Sequence, residues 1–375
     1  MSSRWPDWLP LRKALQSREP YGAPQVEARA RLNTNENPNP LPLEVIQGIE
    51  SAISKVLGDL NRYPDRDAKE LRRRLANYVN DHVAPAGSVS FTDANIWPAN
   101  GSNEVLQSIL LAFGEDIAGF APSYSMHAIL AEAVGRSFKA VPLRSDFTPD
   151  MELVRGYLAA RKPSIFFVTT PNNPTGRSLS LDEIASLAEM MRNHSGLLVV
   201  DEAYGEFSDQ VSAVTLIERQ PHLVVVRTMS KAFAFAGARI GYAIADSHVI
   251  EALQLVRLPY HLSSLTQAAG IAAIDHCETL LAEVERLKSA REELRKGIEE
   301  LGLRTVPSDA NFILFGGFDA LPSLKEVTSG EIWSGLLGQG VLIRDVGIPG
   351  YLRVTVGTEK ENALFLESLT RVVRA

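Results

Sequence analysis

Lys231 follows Ser230 directly, and Arg239 stands eight residues further on, in the stretch Thr228-Met229-Ser230-Lys231-Ala232-Phe233-Ala234-Phe235-Ala236-Gly237-Ala238-Arg239. A lysine that is desolvated and held against a carbonyl is a Schiff-base nucleophile. Thr228 and Ser230 add hydroxyls and Arg239 a permanent cation, the groups that a phosphate takes as partners. The chemistry these residue types point to is a lysine that carries pyridoxal phosphate, with the phosphate anchored close by. A Ser-Lys pair also occurs on solvated turns, so the stretch is weighed against what the rest of the chain supplies.

Pyridoxal phosphate makes demands that the chain can be checked for. Its pyridinium nitrogen needs a carboxylate, because the ring is an electron sink only while that nitrogen is protonated. Asp201 closes the apolar run Leu197-Leu198-Val199-Val200 and fits that role, although alone it reads equally as a helix cap or a surface turn. The phenolic oxygen of the ring needs a donor, which Asn173 and Tyr204 can each supply. Asn173 lies in Pro171-Asn172-Asn173-Pro174-Thr175-Gly176, a loop stiffened by its prolines, directly after the run Ile165-Phe166-Phe167-Val168. Gly101-Ser102-Asn103 opens a helical pattern, and a helix N-terminus is a seat for a phosphate as well as an ordinary cap. Tyr124, in Pro122-Ser123-Tyr124-Ser125, can stack on the ring face or simply pack.

These residues need elements to hold them. At 375 residues the chain exceeds the size at which one core keeps growing, so two domains are expected. Residues 1–45, rich in proline and asparagine, read as an extended arm with turns rather than a packed element. Helices are predicted at about 42–57 and 67–80, the second opening at Asp65-Arg66-Asp67. The runs at 165–168, 197–200 and 223–226 are apolar throughout, as in a parallel sheet covered on both faces, with a helix between the first two. Residues 46–275 thus read as a large α/β domain with a mainly parallel sheet between helices, whose ligands bind beyond the carboxyl ends of the strands. From 276 a long amphipathic helix with Leu280, Val284, Leu287, Leu294 and Ile298 leads into a smaller α+β domain to 375.

In Leu352-Arg353-Val354-Thr355-Val356, alternation puts the apolar residues on one face and Arg353 on the other, where it could meet a carboxylate in a bidentate pair. Arg344 ends the run Val341-Leu342-Ile343, and a surface salt bridge is the alternative for either arginine.

Taken in order, Gly101-Ser102, Asn173, Asp201, Tyr204, Ser230-Lys231 and Arg239 each fall at the end of a predicted strand. The chain resembles, over essentially its whole length, the fold-type-I pyridoxal-phosphate-dependent aminotransferases of the aspartate aminotransferase class. The carrying motifs are Asn35-Glu36-Asn37-Pro38, Pro171-Asn172-Asn173-Pro174-Thr175-Gly176, Asp201-Glu202-Ala203-Tyr204 and Ser230-Lys231-Ala232-Phe233. The resemblance implies Lys231 as the Schiff-base lysine, Asp201 as the pyridinium partner, Tyr204 beside them, and a homodimer in which Tyr63 reaches the neighbouring subunit's phosphate.

Within that class the chain resembles the bacterial histidinol-phosphate aminotransferases, in Tyr21-Gly22-Ala23-Pro24-Gln25, Leu32 to Pro38, Arg257-Leu258-Pro259-Tyr260-His261 and Leu352 to Gly357. Many of those proteins carry aspartate where this chain has Asn103, which removes a negative charge beside the phosphate. The subgroup implies that glutamate gives its amine to the cofactor and leaves as 2-oxoglutarate. Imidazole acetol phosphate then takes the amine and leaves as histidinol phosphate. It also implies Arg353 as a carboxylate anchor that shares the substrate phosphate with Arg344, and a substrate pocket shaped by Asn35, Tyr21, Tyr63 and Tyr260.

The nearest rival is an aminotransferase for aromatic amino acids, followed by a decarboxylase of an amino-acid phosphate on the same fold. A transcription regulator built on this fold needs a DNA-binding segment, and the roughly 30 residues before Asn33 are too few for one. The net charge of −7 argues against general nucleic-acid or membrane-surface binding. No apolar run approaches a membrane-spanning length, and Met1 to Lys13 lacks the apolar core of a signal peptide, so a cytoplasmic protein is expected. Cys277, the only cysteine, reads as a small buried filler. His127, His194 and His261 form no ligand pair at helical spacing, read as structural or surface residues, and leave no metal site to expect.

Overall fold

The computed structural model describes residues 5–321 and 327–374, apart from Asp7 and Tyr21. Its strands in chain order are β1 (Ala30–Arg31), β2 (Ile96–Ala99), β3 (Asp116–Ala121), β4 (Ser137–Pro142), β5 (Ile165–Thr169), β6 (Leu197–Asp201), β7 (Leu223–Thr228), β8 (Gly241–Ile244), β9 (Arg304–Thr305), β10 (Phe312–Gly316), β11 (Val341–Leu342) and β12 (Tyr351–Thr355). The helices are α1 (Leu43–Val56), α2 (Lys69–Tyr78), α3 (Ser102–Ala112), α4 (Met126–Ala133), α5 (Met151–Arg161), α6 (Leu181–Arg192), α7 (Ser247–Gln254), α8 (Ser264–Asp275), α9 (Cys277–Glu300), α10 (Ser329–Gly338) and α11 (Glu359–Arg374).

A seven-stranded sheet runs in the order β2-β8-β7-β6-β5-β3-β4. The pairs β3–β4, β3–β5, β5–β6 and β6–β7 are parallel, whereas β8 is antiparallel to both β7 and β2. The apolar runs predict this core because the period-two alternation of each strand feeds two separate clusters. Phe166, Val168, Leu198, Val200 and Val225 pack with α2, α5 and α6. Ile165, Phe167, Val199, Val224 and Val226 pack with α3 and α7 on the opposite face. At about 1.5–3 kcal/mol for each large apolar side chain removed from water, this sandwich is the rigid frame on which the strand ends are held.

Local signals fix the helix starts. Ser180 and Glu183 form a reciprocal capping box at α6, and Thr328 and Glu331 do the same at α10. The acidic start predicted for α2 is displaced: the Asp65 carboxylate accepts from the backbone N–H of Asp67 and Lys69, and the helix begins at Lys69. The long helix is found as α9, with Leu280, Val284, Leu287, Leu294 and Ile298 buried on one stripe.

Beyond α9, β12, β10 and β9 form a three-stranded antiparallel sheet. The reading of residues 1–45 as an unpacked arm needs correction at its inner end. Ala30 and Arg31 pair in parallel with Val341 and Leu342, and Leu32, Asn33 and Asn35 are buried. The cause is backbone pairing with strands some 310 residues away, which no local pattern reports.

Candidate active site

Thr228, the last residue of β7, pairs with Gly241, the first of β8. The intervening residues 229–240 therefore leave and re-enter the sheet at the same edge, and this loop carries Ser230, Lys231 and Arg239 over the carboxyl ends of the parallel strands. Thr228 Oγ1 donates to Ser230 Oγ at 2.9 Å, and Arg239 Nη1 donates to Ser230 Oγ at 3.4 Å. Arg239 itself adopts a left-handed backbone with φ +57°.

The start of α3 meets that loop. Gly101 stands at the N-cap with φ +82°, a conformation that favours glycine, and makes no side-chain cap, so the first N–H groups of the helix keep their outward aim. A Cβ on Gly101 would overlap the Arg239 guanidinium, and one on Gly241 would overlap the Ser102 backbone nitrogen. These two glycines let the helix terminus, the serine hydroxyl and the arginine converge on one spot. Asn103 Oδ1 accepts from the Tyr124 hydroxyl at 3.1 Å, which turns its amide N–H₂ away as a donor. Backbone amides, hydroxyls and one permanent cation are the donor set that a phosphate monoester requires, so the residues present fit pyridoxal phosphate at this end.

At the other end Asp201 is only 1% exposed. Its Oδ1 accepts from the Ala203 N–H at 3.1 Å, and its Oδ2 faces His127 Nε2 at 3.3 Å. His127, from α4, is itself buried and stacks on Phe167 with ring centroids 4.5 Å apart. Treating His127 as a bystander thus missed the group that orients Asp201. The signal available in the sequence was its place three residues after Tyr124, inside a helix that follows a strand end. His194 and His261 do what was expected of them, pairing with the backbone carbonyls of Pro163 and Pro98.

Between the two ends, Lys231 Nζ donates to the Thr34 carbonyl at 3.0 Å. The side chain keeps some solvent exposure at the pocket mouth, but protein atoms surround its amine. Burial, then the Arg353 and Arg239 charges, bring the amine down to about 8, with Glu36 opposing them. Half of the amine is therefore neutral near pH 8, the form that attacks a carbonyl. Uptake of pyridoxal phosphate by cofactor-free protein is expected to accelerate with rising pH around a midpoint near 8. Rapid-mixing absorbance measurements across pH 6–11 check this, and a midpoint near 10.5 would contradict it.

The Tyr204 hydroxyl accepts from Asn35 Nδ2 at 2.9 Å and from Asn173 Nδ2 at 3.3 Å. Arg353 Nη1 donates to Asn173 Oδ1 at 2.5 Å and Nη2 to the Asn33 carbonyl at 2.8 Å. Its guanidinium also lies 5.1 Å over the Phe312 ring. Arg344 and Arg353 exchange backbone hydrogen bonds of 3.0 and 2.9 Å, so both side chains rise from adjacent positions of one wall.

A cavity of about 460 Å³ is lined by Asn35, Ser102, Asn103, Tyr124, Asn173, Asp201, Tyr204, Thr228, Ser230, Lys231, Arg239, Arg344 and Arg353. Gly101 stands just behind this lining. Asn35 was expected as a substrate contact, yet its 1%-exposed side chain is committed to Tyr204 and to Thr355. Tyr63 and Tyr260 do not line this cavity in their own chain. They stack on each other on the surface, centroids 4.4 Å apart, with Tyr63 79% exposed. Tyr21 lies outside the described residues. Among the described residues no group of His, Cys, Asp and Glu suits a metal ion, and no helix is long and apolar enough to cross a membrane.

Residues 30–369 match the family Aminotransferase class I and II. The histidinol-phosphate aminotransferase of Mycobacterium sp. (strain KMS) is 50% identical over 369 residues, 97% of this chain and 94% of that protein. The one from Mycobacterium marinum is 48% identical over 98% of this chain and 93% of that protein. The crystal structure of histidinol-phosphate aminotransferase from Sinorhizobium meliloti in complex with pyridoxal-5'-phosphate shares the fold, with a TM-score of 0.81 at 24% identity over 97% of this chain and 98% of that one. The chain belongs to the class I and II aminotransferases, within the histidinol-phosphate aminotransferase family.

Proposed function

We propose that this chain is a pyridoxal-phosphate-dependent transaminase that interconverts histidinol phosphate and 2-oxoglutarate with imidazole acetol phosphate and glutamate. The observation that carries the reading is that two groups of anion-binding residues line one cavity together with Lys231. One is the α3 terminus with Ser230 and Arg239, the other the wall of Arg344 and Arg353. The first suits the cofactor phosphate and the second the anionic end of a substrate. The curated relatives at 47–50% identity are themselves named histidinol-phosphate aminotransferase, which supports the choice of amine.

When bound, the cofactor supplies an electron sink that stabilises negative charge at the substrate carbon bearing the amine. Lys231 would hold the cofactor through its Nζ, and the same amine is the base placed to take a proton at the substrate carbon. Asp201, oriented by His127, would be the carboxylate partner of the ring nitrogen, and Tyr204 and Asn173 would supply donors for the ring oxygen. Thr228, Ser230, Ser102, Asn103 and Arg239 would hold the phosphate, and Tyr124 would offer the ring a packing face. Arg353 and Arg344 take the substrate phosphate or the carboxylate of glutamate.

The same reading assigns residues 46–275 to the cofactor domain and 276–375 to the smaller domain, with 1–45 joined to the latter. It also makes the enzyme a homodimer in which the exposed Tyr63 crosses to the partner site, with Tyr260 against it. The deciding experiment is the rate at which histidinol phosphate and phenylalanine each bleach the absorbance of the bound cofactor. Histidinol phosphate is expected to act faster by about tenfold or more, the worth of one extra hydrogen bond to a charged group. Faster bleaching by phenylalanine would identify an aromatic aminotransferase instead.

A further inference from the structure

We propose that Arg227, through buried ion pairs with Glu202 and Glu206, is a positioning residue that fixes the Tyr204 hydroxyl in the pocket. This rests on the role given to Tyr204 above. None of the three charged residues lines the cavity, so none touches substrate or cofactor.

Arg227 sits on β7, one residue before Thr228, and is 3% exposed. Its Nε and Nη2 donate to Glu202 Oε2 at 3.1 and 3.0 Å, and its Nη1 donates to Glu206 Oε1 at 2.7 Å. Glu202 and Glu206 stand two residues before and two after Tyr204, so one guanidinium grips both ends of the turn that presents the tyrosine. Gly205 is part of the device: a Cβ there would overlap Arg227 Nη2, so only glycine lets the guanidinium pass beneath the turn. Glu202 is held from the far side by Ser212 Oγ at 2.6 Å and the Ala213 N–H at 2.8 Å. The Tyr78 hydroxyl donates to Glu206 at 3.3 Å.

Burial by itself would lower the Arg227 guanidinium, but Glu206 and Glu202 reverse this and raise it, so the cation persists at every working pH. The two phenols facing the cluster, Tyr78 and Tyr242, are pushed up chiefly by burial and stay neutral. Stability alone does not account for three buried charges, since apolar replacements of a buried ion triad are often neutral or stabilising. Conformational specificity does account for them. The clamp ties the Tyr204 turn to β7, the strand that launches the loop of Ser230 and Lys231, and so fixes the distance between the ring-oxygen donor and the lysine.

The test is the pH titration of the visible absorbance of the holoenzyme, a readout that does not depend on turnover. A donor held on the ring oxygen favours the form in which that oxygen is more negative, so its displacement moves the midpoint up. Arg227→Lys and Glu206→Gln are each expected to raise the midpoint by about one pH unit. In a Tyr204→Phe background the same changes are expected to move it no further, because the coupling runs through the hydroxyl. Should Arg227→Lys fail to fold, Glu206→Gln keeps the shape of the side chain and carries the test. Equal shifts in both backgrounds, or a lower melting temperature with an unmoved midpoint, would overturn the clamp. An unchanged titration in Lys231→Ala would remove the reading beneath it, a failure visible apart from the other two.

Discussion

Replacing Lys231 with alanine is expected to stop turnover, with a loss of about 10⁴-fold or more, while pyridoxal phosphate still binds. The size of the effect follows from the pocket. Among the described residues Lys231 is the only lysine in the lining, and none of them offers a second amine to hold the cofactor carbonyl or return a proton near pH 8. Cofactor retention follows from the independence of the phosphate seat, since Ser102, Asn103, Ser230 and Arg239 stay in place without the lysine. Single-turnover amine transfer, together with equilibrium binding of the cofactor, separates the two effects. Residual transamination within about tenfold of the native rate would sink the assignment of Lys231.

The second large effect is expected at Asp201. Asp201→Asn keeps shape and the hydrogen bond from the Ala203 N–H, but removes the buried negative charge. Without that charge the ring nitrogen loses its proton, and kcat is expected to fall by about 10²–10³-fold with little change in melting temperature. A His127→Gln variant, which loosens the orientation of Asp201 but leaves its charge, is expected to lose less than Asp201→Asn. Steady-state kinetics with thermal denaturation on each variant checks the order, and an Asp201→Asn enzyme of native kcat would contradict the role.

Much of this site was legible in the sequence because its parts are local. Ser230, Lys231 and Arg239 lie on one loop that leaves and re-enters the sheet, so their spacing survives folding intact. Asp201 and Asn173 follow apolar runs whose strand character fixes where they emerge. What escaped reading depends on contacts made across the chain. Nothing near Asn35 announces that it will bond Tyr204, because 169 residues separate them. His127 looks like any helix histidine until β6 brings Asp201 beside it. Arg227 carried the stronger local signal: a cation at the end of the run Leu223 to Val226, in a strand buried on both faces, demands a partner. Glu202, next to Asp201, was the carboxylate available for it. Tyr63 and Tyr260 are a different case, since their stacked surface pair lies away from the pocket of their own chain.

The pairing of Ala30 and Arg31 with Val341 and Leu342 has a consequence for the order of assembly. The Asn35 N–H donates to Thr355 Oγ1, the Asn35 carbonyl accepts from Asn311 Nδ2, and the Thr355 N–H donates to the Leu32 carbonyl. The same short segment supplies the carbonyl that accepts from Lys231 and the side-chain amide that donates to the Tyr204 hydroxyl. Closing a loop of some 320 residues carries a large entropic cost before any contact rewards it. The seven-stranded sheet draws on residues 96–244 and can form from nearer pairings, but residues 32–35 must wait for the far end of the chain to be made and folded. The lysine and the tyrosine therefore gain these partners only once the segments around Asn311 and Thr355 are in place to hold residues 32–35.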